Sequence, residues 1–170
     1  MSNGLTPENY ADVFRRLEAA QARYVVVGGA AVVLRGHVRP IADLDIVIDP
    51  APDEARRAMS VLTACGFVPS IPLPMSMMTV QRLYDYSARE IDVFVRYHIP
   101  FEELWADSER VHCGDGLVRI VSLDHLIRRR HPNNRPQEIH DIEILQELAK
   151  LRDQTGEAPA DSARERDSES

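Results

Sequence analysis

Residues 25–49, VVVGGAAVVLRGHVRPIADLDIVID, decide the reading of this chain. With Tyr24, the opening β-branched run is stopped by Gly28-Gly29, the pattern of a short buried strand. The AAVVLRG segment then suits a short helix closed by Gly36. A helix that begins straight after paired glycines offers unpaired backbone N–H groups, and the missing side chains let a phosphate come close. Thirteen residues separate Gly29 from Asp43-Leu44-Asp45. The DLDIVID run alternates, with Asp43, Asp45, Val47 and Asp49 on one face and Leu44, Ile46 and Ile48 on the other. Two carboxylates roughly 6–7 Å apart on one strand face repel each other. A divalent cation resolves that conflict, and Mg²⁺ typically binds through one or two carboxylates together with substrate phosphates.

Working outward, Arg89-Glu90-Ile91-Asp92-Val93-Phe94-Val95 sets a single acid inside another apolar strand. If that strand lies beside DLDI, Asp92 completes a three-carboxylate cluster able to hold two ions, a clamp for both the attacking and the leaving oxygens of an in-line displacement. Upstream, Thr6-Pro7 starts an amphipathic helix carrying Tyr10, Val13, Phe14 and Leu17, expected to end near Ala22. Downstream, DEARRAMSVLTACG reads as a helix stopped by Gly66. Strands are expected around residues 67–70, 77–86 and 90–97, followed by a short helix at FEELWADS. A hairpin over residues 111–121 should turn at Gly114-Asp115-Gly116. Closing helices start near Ser122 and near Pro136. This order fits an α/β or α+β domain, a small mixed β-sheet flanked by helices.

At 170 residues the chain is long enough for one domain with a full core. Its net charge of −7 argues against a protein that coats nucleic acid non-specifically. Much of the acidity lies in RDQTGEAPADSARERDSES, which has almost no large apolar residues. Residues 1–153 are therefore expected to form the domain and 154–170 a disordered acidic tail. No apolar run approaches the roughly 20 residues of a membrane span, and no signal peptide is evident, so a cytoplasmic location is expected. Cys65 and Cys113 are far apart and read as reduced structural residues.

Val27-Gly28-Gly29, Asp43-Leu44-Asp45 and Asp92 together resemble the signature of the DNA polymerase β-like nucleotidyltransferase superfamily. That signature is a hydrophobic residue before Gly-Gly or Gly-Ser, an acid–hydrophobic–acid block, and a third acid on a later strand. Within it, Arg39-Pro40-Ile41-Ala42-Asp43-Leu44-Asp45 looks most like the block of small AbiEii-type, toxin-like nucleotidyltransferases. The Leu126-Ile127-Arg128-Arg129-Arg130 and Arg135-Pro136-Gln137-Glu138-Ile139-His140-Asp141 segments resemble their closing motif. The resemblance covers about residues 8–150. It implies a palm-like nucleotidyltransferase fold with C-terminal helices and Mg²⁺ (or Mn²⁺) on the catalytic residues Asp43, Asp45 and Asp92. It further implies a nucleoside triphosphate such as ATP held by Gly28, Gly29, Arg39, Arg129 and Asp141. An acceptor hydroxyl would attack the α-phosphorus and pyrophosphate would leave. The acceptor could be RNA or a tRNA 3′ end, a protein, or a small molecule such as an antibiotic. A toxin–antitoxin setting with a cognate partner protein is also implied. Two positions depart from the pattern: Ile41 stands where Ser or Thr is usual, and arginine replaces the usual lysine, which is no equivalent point charge. They leave open a nucleotide-binding or regulatory module with weakened catalysis.

The remaining candidates are weaker. Arg35 lies between the glycines and the acids, where a cation could meet phosphates, or it is a solvated loop residue. Arg128, Arg129, Arg130 and His131 form a basic run near a helix end, suited to phosphate contact or to the helix dipole alone. Met75, Met77 and Met78 could line a lid or a loosely packed core edge. The histidines lack zinc-ligand spacing, and the phosphate-loop, dinucleotide and serine-hydrolase motifs are absent.

Overall fold

The computed structural model describes residues 4–128 and 135–155. A 3₁₀ turn at Pro7–Tyr10 leads into α1 (Ala11–Ala19), started where the Thr6 N–H donates to Asn9 Oδ1 at 2.8 Å. Tyr10, Val13, Phe14 and Leu17 are buried, as their spacing predicts. The helix ends at Ala19 rather than near Ala22, because Gln21 takes a left-handed φ of 53° and turns the chain towards the first strand.

The later elements are β1 (Tyr24–Val27), α2 (Gly28–Leu34), β2 (Leu44–Ile48), α3 (Pro52–Ala64), β3 (Val68–Pro69), β4 (Val80–Tyr84) and β5 (Glu90–Phe94). They continue as α4 (Phe101–Asp107), β6 (Glu109–Cys113), β7 (Gly116–Ile120), α5 (Leu123–Arg128) and α6 (Pro136–Thr155). The strands make one mixed seven-stranded sheet in the order β3-β4-β5-β2-β1-β7-β6. β2 runs antiparallel to β1 and parallel to β5, while β4–β5 and β6–β7 are antiparallel hairpins. Helices flank the sheet, so the expected mixed α/β class is the observed one.

Other boundaries move as well. Met77 closes a 3₁₀ turn (Met75–Met77) and β4 starts only at Val80. The β6–β7 turn holds two residues, Gly114 and Asp115, since Cys113 pairs with Gly116; Gly114 supplies the positive φ that such a turn needs. α6 continues to Thr155, so residues 154 and 155 are helical rather than tail. The rest of the expected tail lies outside the described residues.

Leu44, Ile46, Ile91 and Val93 are fully buried beside Val25 and Val26. This central core fixes the register of β2 on β5: a slip of one residue would turn those side chains out of it. No described helix is long and apolar enough to cross a membrane.

Candidate active site

With Leu44, Ile46, Ile91 and Val93 committed to the core, the residues between them face the other way. The parallel ladder pairs Leu44 with Ile91, Asp45 with Asp92 and Ile46 with Val93. The Asp45 and Asp92 carboxylates therefore stand side by side, and Asp43 joins them from the bend just before β2. Each of Asp43, Asp45 and Asp92 offers a carboxylate oxygen, and these oxygens all lie within 4.8 Å of one another. The expected meeting of three acids from separate segments is thus present in the geometry. It is the grouping of His, Cys, Asp and Glu among the described residues that could hold a metal ion.

β1 is antiparallel to β2 and pairs Val27 with Asp45, so the Gly28-Gly29 turn emerges beside the acids. Gly28 has φ +64°, and a Cβ there would run into the Asp45 carboxylate. A Cβ on Gly29 would stand 2.9 Å from Arg39 Nη2. Both glycines thus permit a close approach that any side chain would block.

Next to them opens a cavity of about 240 Å³, bounded by the glycines, Asp43, Asp45, Arg39 and α6 with Asp141. Asp141 is buried, and both its oxygens accept from Arg39: Nε at 2.9 Å and Nη2 at 2.7 Å. Gln137 Nε2 donates to Asp141 Oδ1 at 2.9 Å, and His37 Nε2 lies 3.4 Å from the same oxygen. Arg39 thus lines this cavity already paired with Asp141. It is a guanidinium fixed over Gly29 by a fork-to-fork pair. Arg35 is neither a solvated loop residue nor turned to the acids: it is buried, donating to Glu109 Oε2 at 2.9 Å and to the Val121 carbonyl at 2.8 Å. Arg129, with Arg130 and His131, lies outside the described residues. Arg128 ends α5 as an exposed residue 3.9 Å from Asp124. Ile41 is buried, and its backbone exchanges hydrogen bonds with Leu5 at 2.8 and 3.2 Å. Met75 packs on the core, whereas Met77 is exposed.

Sequence reading missed Arg82. Its Nε and Nη2 donate to the two oxygens of Asp92 at 2.8 and 3.0 Å, and Nη2 also reaches Asp43 Oδ2 at 3.3 Å. Nη1 lies 3.4 Å from Glu90. A signal was available in the chain. A tight hairpin centred on Ser87 pairs Tyr84 with Glu90 and, two residues further along each strand, Arg82 with Asp92.

Burial and the neighbouring Asp92 hold the Asp43 carboxyl above the usual carboxylate range, with Arg82 pulling the other way. Three hard carboxylate donors, without sulfur or imidazole among them, suit Mg²⁺ or Mn²⁺.

The chain matches no family model, and no curated protein matches it in sequence. Solved structures do match its fold. The lincosamide antibiotic adenylyltransferase LnuA, solved with lincomycin, superimposes with a TM-score of 0.66 at 16% identity, over 86% of this chain and 99% of that one. The antibiotic-resistance factor ANT(2'')-Ia, solved with adenylyl-2''-tobramycin, gives 0.58 at 11% identity over 87% and 95%. A Thermotoga maritima protein described as a nucleotidyltransferase gives 0.55 at 13% identity over 92% and 98%. At these identities the likeness is one of fold: the chain has the architecture of nucleotidyltransferases along nearly the whole length of those proteins.

Proposed function

We propose that this protein is a metal-dependent nucleotidyltransferase that moves a nucleoside monophosphate from a nucleoside triphosphate to an acceptor hydroxyl. One observation carries the reading. Asp43, Asp45 and Asp92 converge on one sheet face, directly beside a cavity entered by the Gly28-Gly29 backbone. The likeness in fold to adenylyltransferases supports it.

Asp43, Asp45 and Asp92 would hold Mg²⁺ or Mn²⁺. When bound, the ions supply charge neutralisation to the triphosphate and lower the pKa of an acceptor hydroxyl. The chain's own groups do the rest. Gly28 and Gly29 admit the phosphates to within hydrogen-bonding reach of the backbone N–H groups. Arg39, kept in one orientation by Asp141, lends positive charge above Gly29 and leaves donors on Nη1 and Nη2 for a phosphate oxygen. Asp141 and Gln137 act through Arg39, as positioning residues. Arg129 belongs to the same nucleotide-binding proposal through its motif alone.

The acceptor class is open to direct assay: RNA or a tRNA 3′ end, a protein hydroxyl as in a toxin–antitoxin pair, or an antibiotic. Radiolabelled nucleoside triphosphates incubated separately with total RNA, lysate protein, aminoglycosides and lincosamides will report where label is transferred. Calorimetry tests the site itself. An Asp43→Ala, Asp45→Ala double variant should lose Mg²⁺-dependent nucleotide binding by more than about tenfold, since each ligand is worth over a kcal/mol. Binding equal to the parent's would overturn the proposal. A second reading, a regulatory nucleotide-binding module, draws on Ile41, whose buried side chain brings no hydroxyl to the metals. It expects the same Mg²⁺-dependent binding without label transfer to any acceptor.

A further inference from the structure

Arg82 is the residue whose position the proposed chemistry does not explain. It stands on β4 between Val80 and Tyr84, on the strand face that looks across to Glu90, Asp92 and Phe94 of β5. Its side chain is 47% exposed, against 15% for Asp92 and 26% for Asp43. The guanidinium therefore caps the carboxylates from the solvent side, and there is room outside for it to move. It uses both oxygens of Asp92 and one of Asp43, the same groups that would ligate a metal.

We propose that Arg82 is a built-in counter-ion that stands in for the divalent cation in the metal-free protein and is displaced when the cation binds. This inference rests on the metal reading of the acidic cluster. Geometry supplies the reason for exchange. A dication held by the same Asp43 and Asp92 oxygens would meet the guanidinium as a like charge, a contact that both partners relieve by separating. Glu90 gives the departing arginine a place to go, since Nη1 is already 3.4 Å from its carboxylate and Glu90 is not part of the ligand group. Arg82 thus offsets the repulsion between Asp43 and Asp92, at the expense of metal affinity.

The test is Mn²⁺ binding to the full chain, by calorimetry and by the loss of the free-ion signal in electron paramagnetic resonance. Arg82→Gln keeps a hydrogen-bonding side chain without the charge. It should bind Mn²⁺ about two- to fivefold more tightly than the parent, the range for losing one partly exposed competing cation. It should also melt at lower temperature without metal and recover the parent's melting temperature when Mn²⁺ saturates the site. Arg82→Lys, with charge but no fork to span Asp92, should fall between the two. Should Arg82→Gln prove unstable, Arg82→Lys and the Arg Nε–H nuclear magnetic resonance signal of the parent carry the test; the Arg82 signal should lose its exchange protection on Mg²⁺ addition. Unchanged or weaker Mn²⁺ binding in the variants, with the parent binding in an Asp45-dependent manner, overturns the counter-ion proposal alone. Absence of Asp45-dependent Mn²⁺ binding in parent and variants alike overturns the metal reading and this inference with it.

Discussion

Two arginine–aspartate clusters share the β4–β5 hairpin, and they behave in opposite ways. At the turn, Arg89 donates Nε to Asp85 at 2.8 Å and its two terminal nitrogens to Asp12 at 2.8 and 3.2 Å. Asp85 also accepts the backbone N–H groups of Ser87 and Arg89 at 3.1 and 2.9 Å. The Arg89 hydrogen bonds hold Asp12 below its ordinary range. Burial pushes Asp85 up, but Arg89, its backbone N–H and Ser87 outweigh it, and the carboxyl ends below its ordinary value. Further along the same strands, Arg82 is shared among Asp43, Glu90 and Asp92, and Asp43 is raised. In the first cluster both acids are held below their ordinary range by the arginine and the hydrogen-bond donors they already meet. The second leaves Asp43 raised beside a cavity, the condition that the proposed metal would relieve.

Substitutions can break or sharpen that contrast. The largest effect is expected at the open cluster: Asp45→Ala or Asp92→Asn should lower label transfer by about 10³-fold, the worth of several kcal/mol of metal-borne charge stabilisation. The circular dichroism spectrum should be unchanged; an unaltered initial rate would place both clusters in the structural class. Next, Arg89→Ala strands two acids at the closed cluster. It should cost about 2–3 kcal/mol in urea unfolding and about 5–10 °C in Tm, with Mg²⁺-nucleotide affinity unaltered below the melting transition.

Smaller effects separate strain from chemistry. Gly28→Ala and Gly66→Ala both force alanine into positive φ, at about 1–2 kcal/mol each. Only at position 28 does the new Cβ meet the Asp45 carboxylate, whereas position 66 faces open space. Calorimetry should therefore show weaker Mg²⁺-nucleotide binding for Gly28→Ala alone. The smallest effect is a pH signature. Asp43 is raised in the fold, so between about pH 4 and its folded value the native state holds the extra proton. Stability falls as pH rises through that window, and the penalty is complete above it. Asp43→Asn should thus raise the metal-free Tm at pH 7, a gain that fades as pH falls towards 4. Asp12 and Asp85, being depressed, act with the opposite sign: their stabilisation is full above about pH 4 and is lost as pH falls through their folded values.

Local pattern alone determined a good deal of this protein. Residues 24–49 carry their own punctuation, a β-branched run, paired glycines and an alternating acidic strand, so strand, turn, helix and strand were legible without a partner. Asp92 was legible as a third acid because a charge between Ile91 and Val93 must face away from the core they enter. Helix ends were less so: Gln21 closes α1 early through a left-handed backbone that its residue type does not announce. Tertiary structure alone decided who pairs with whom. Arg39 and Asp141 read along the chain as separate nucleotide contacts, yet across 102 residues they pair with each other. Arg82 reads as a surface strand residue, yet hairpin register lays it across Asp92 and the parallel β2–β5 ladder brings Asp43 within its reach. Periodicity reports which face a side chain occupies. The charge it meets there depends on strands whose order and register are set by burying Leu44, Ile46, Ile91 and Val93 together, a property of the assembled core that no single segment contains.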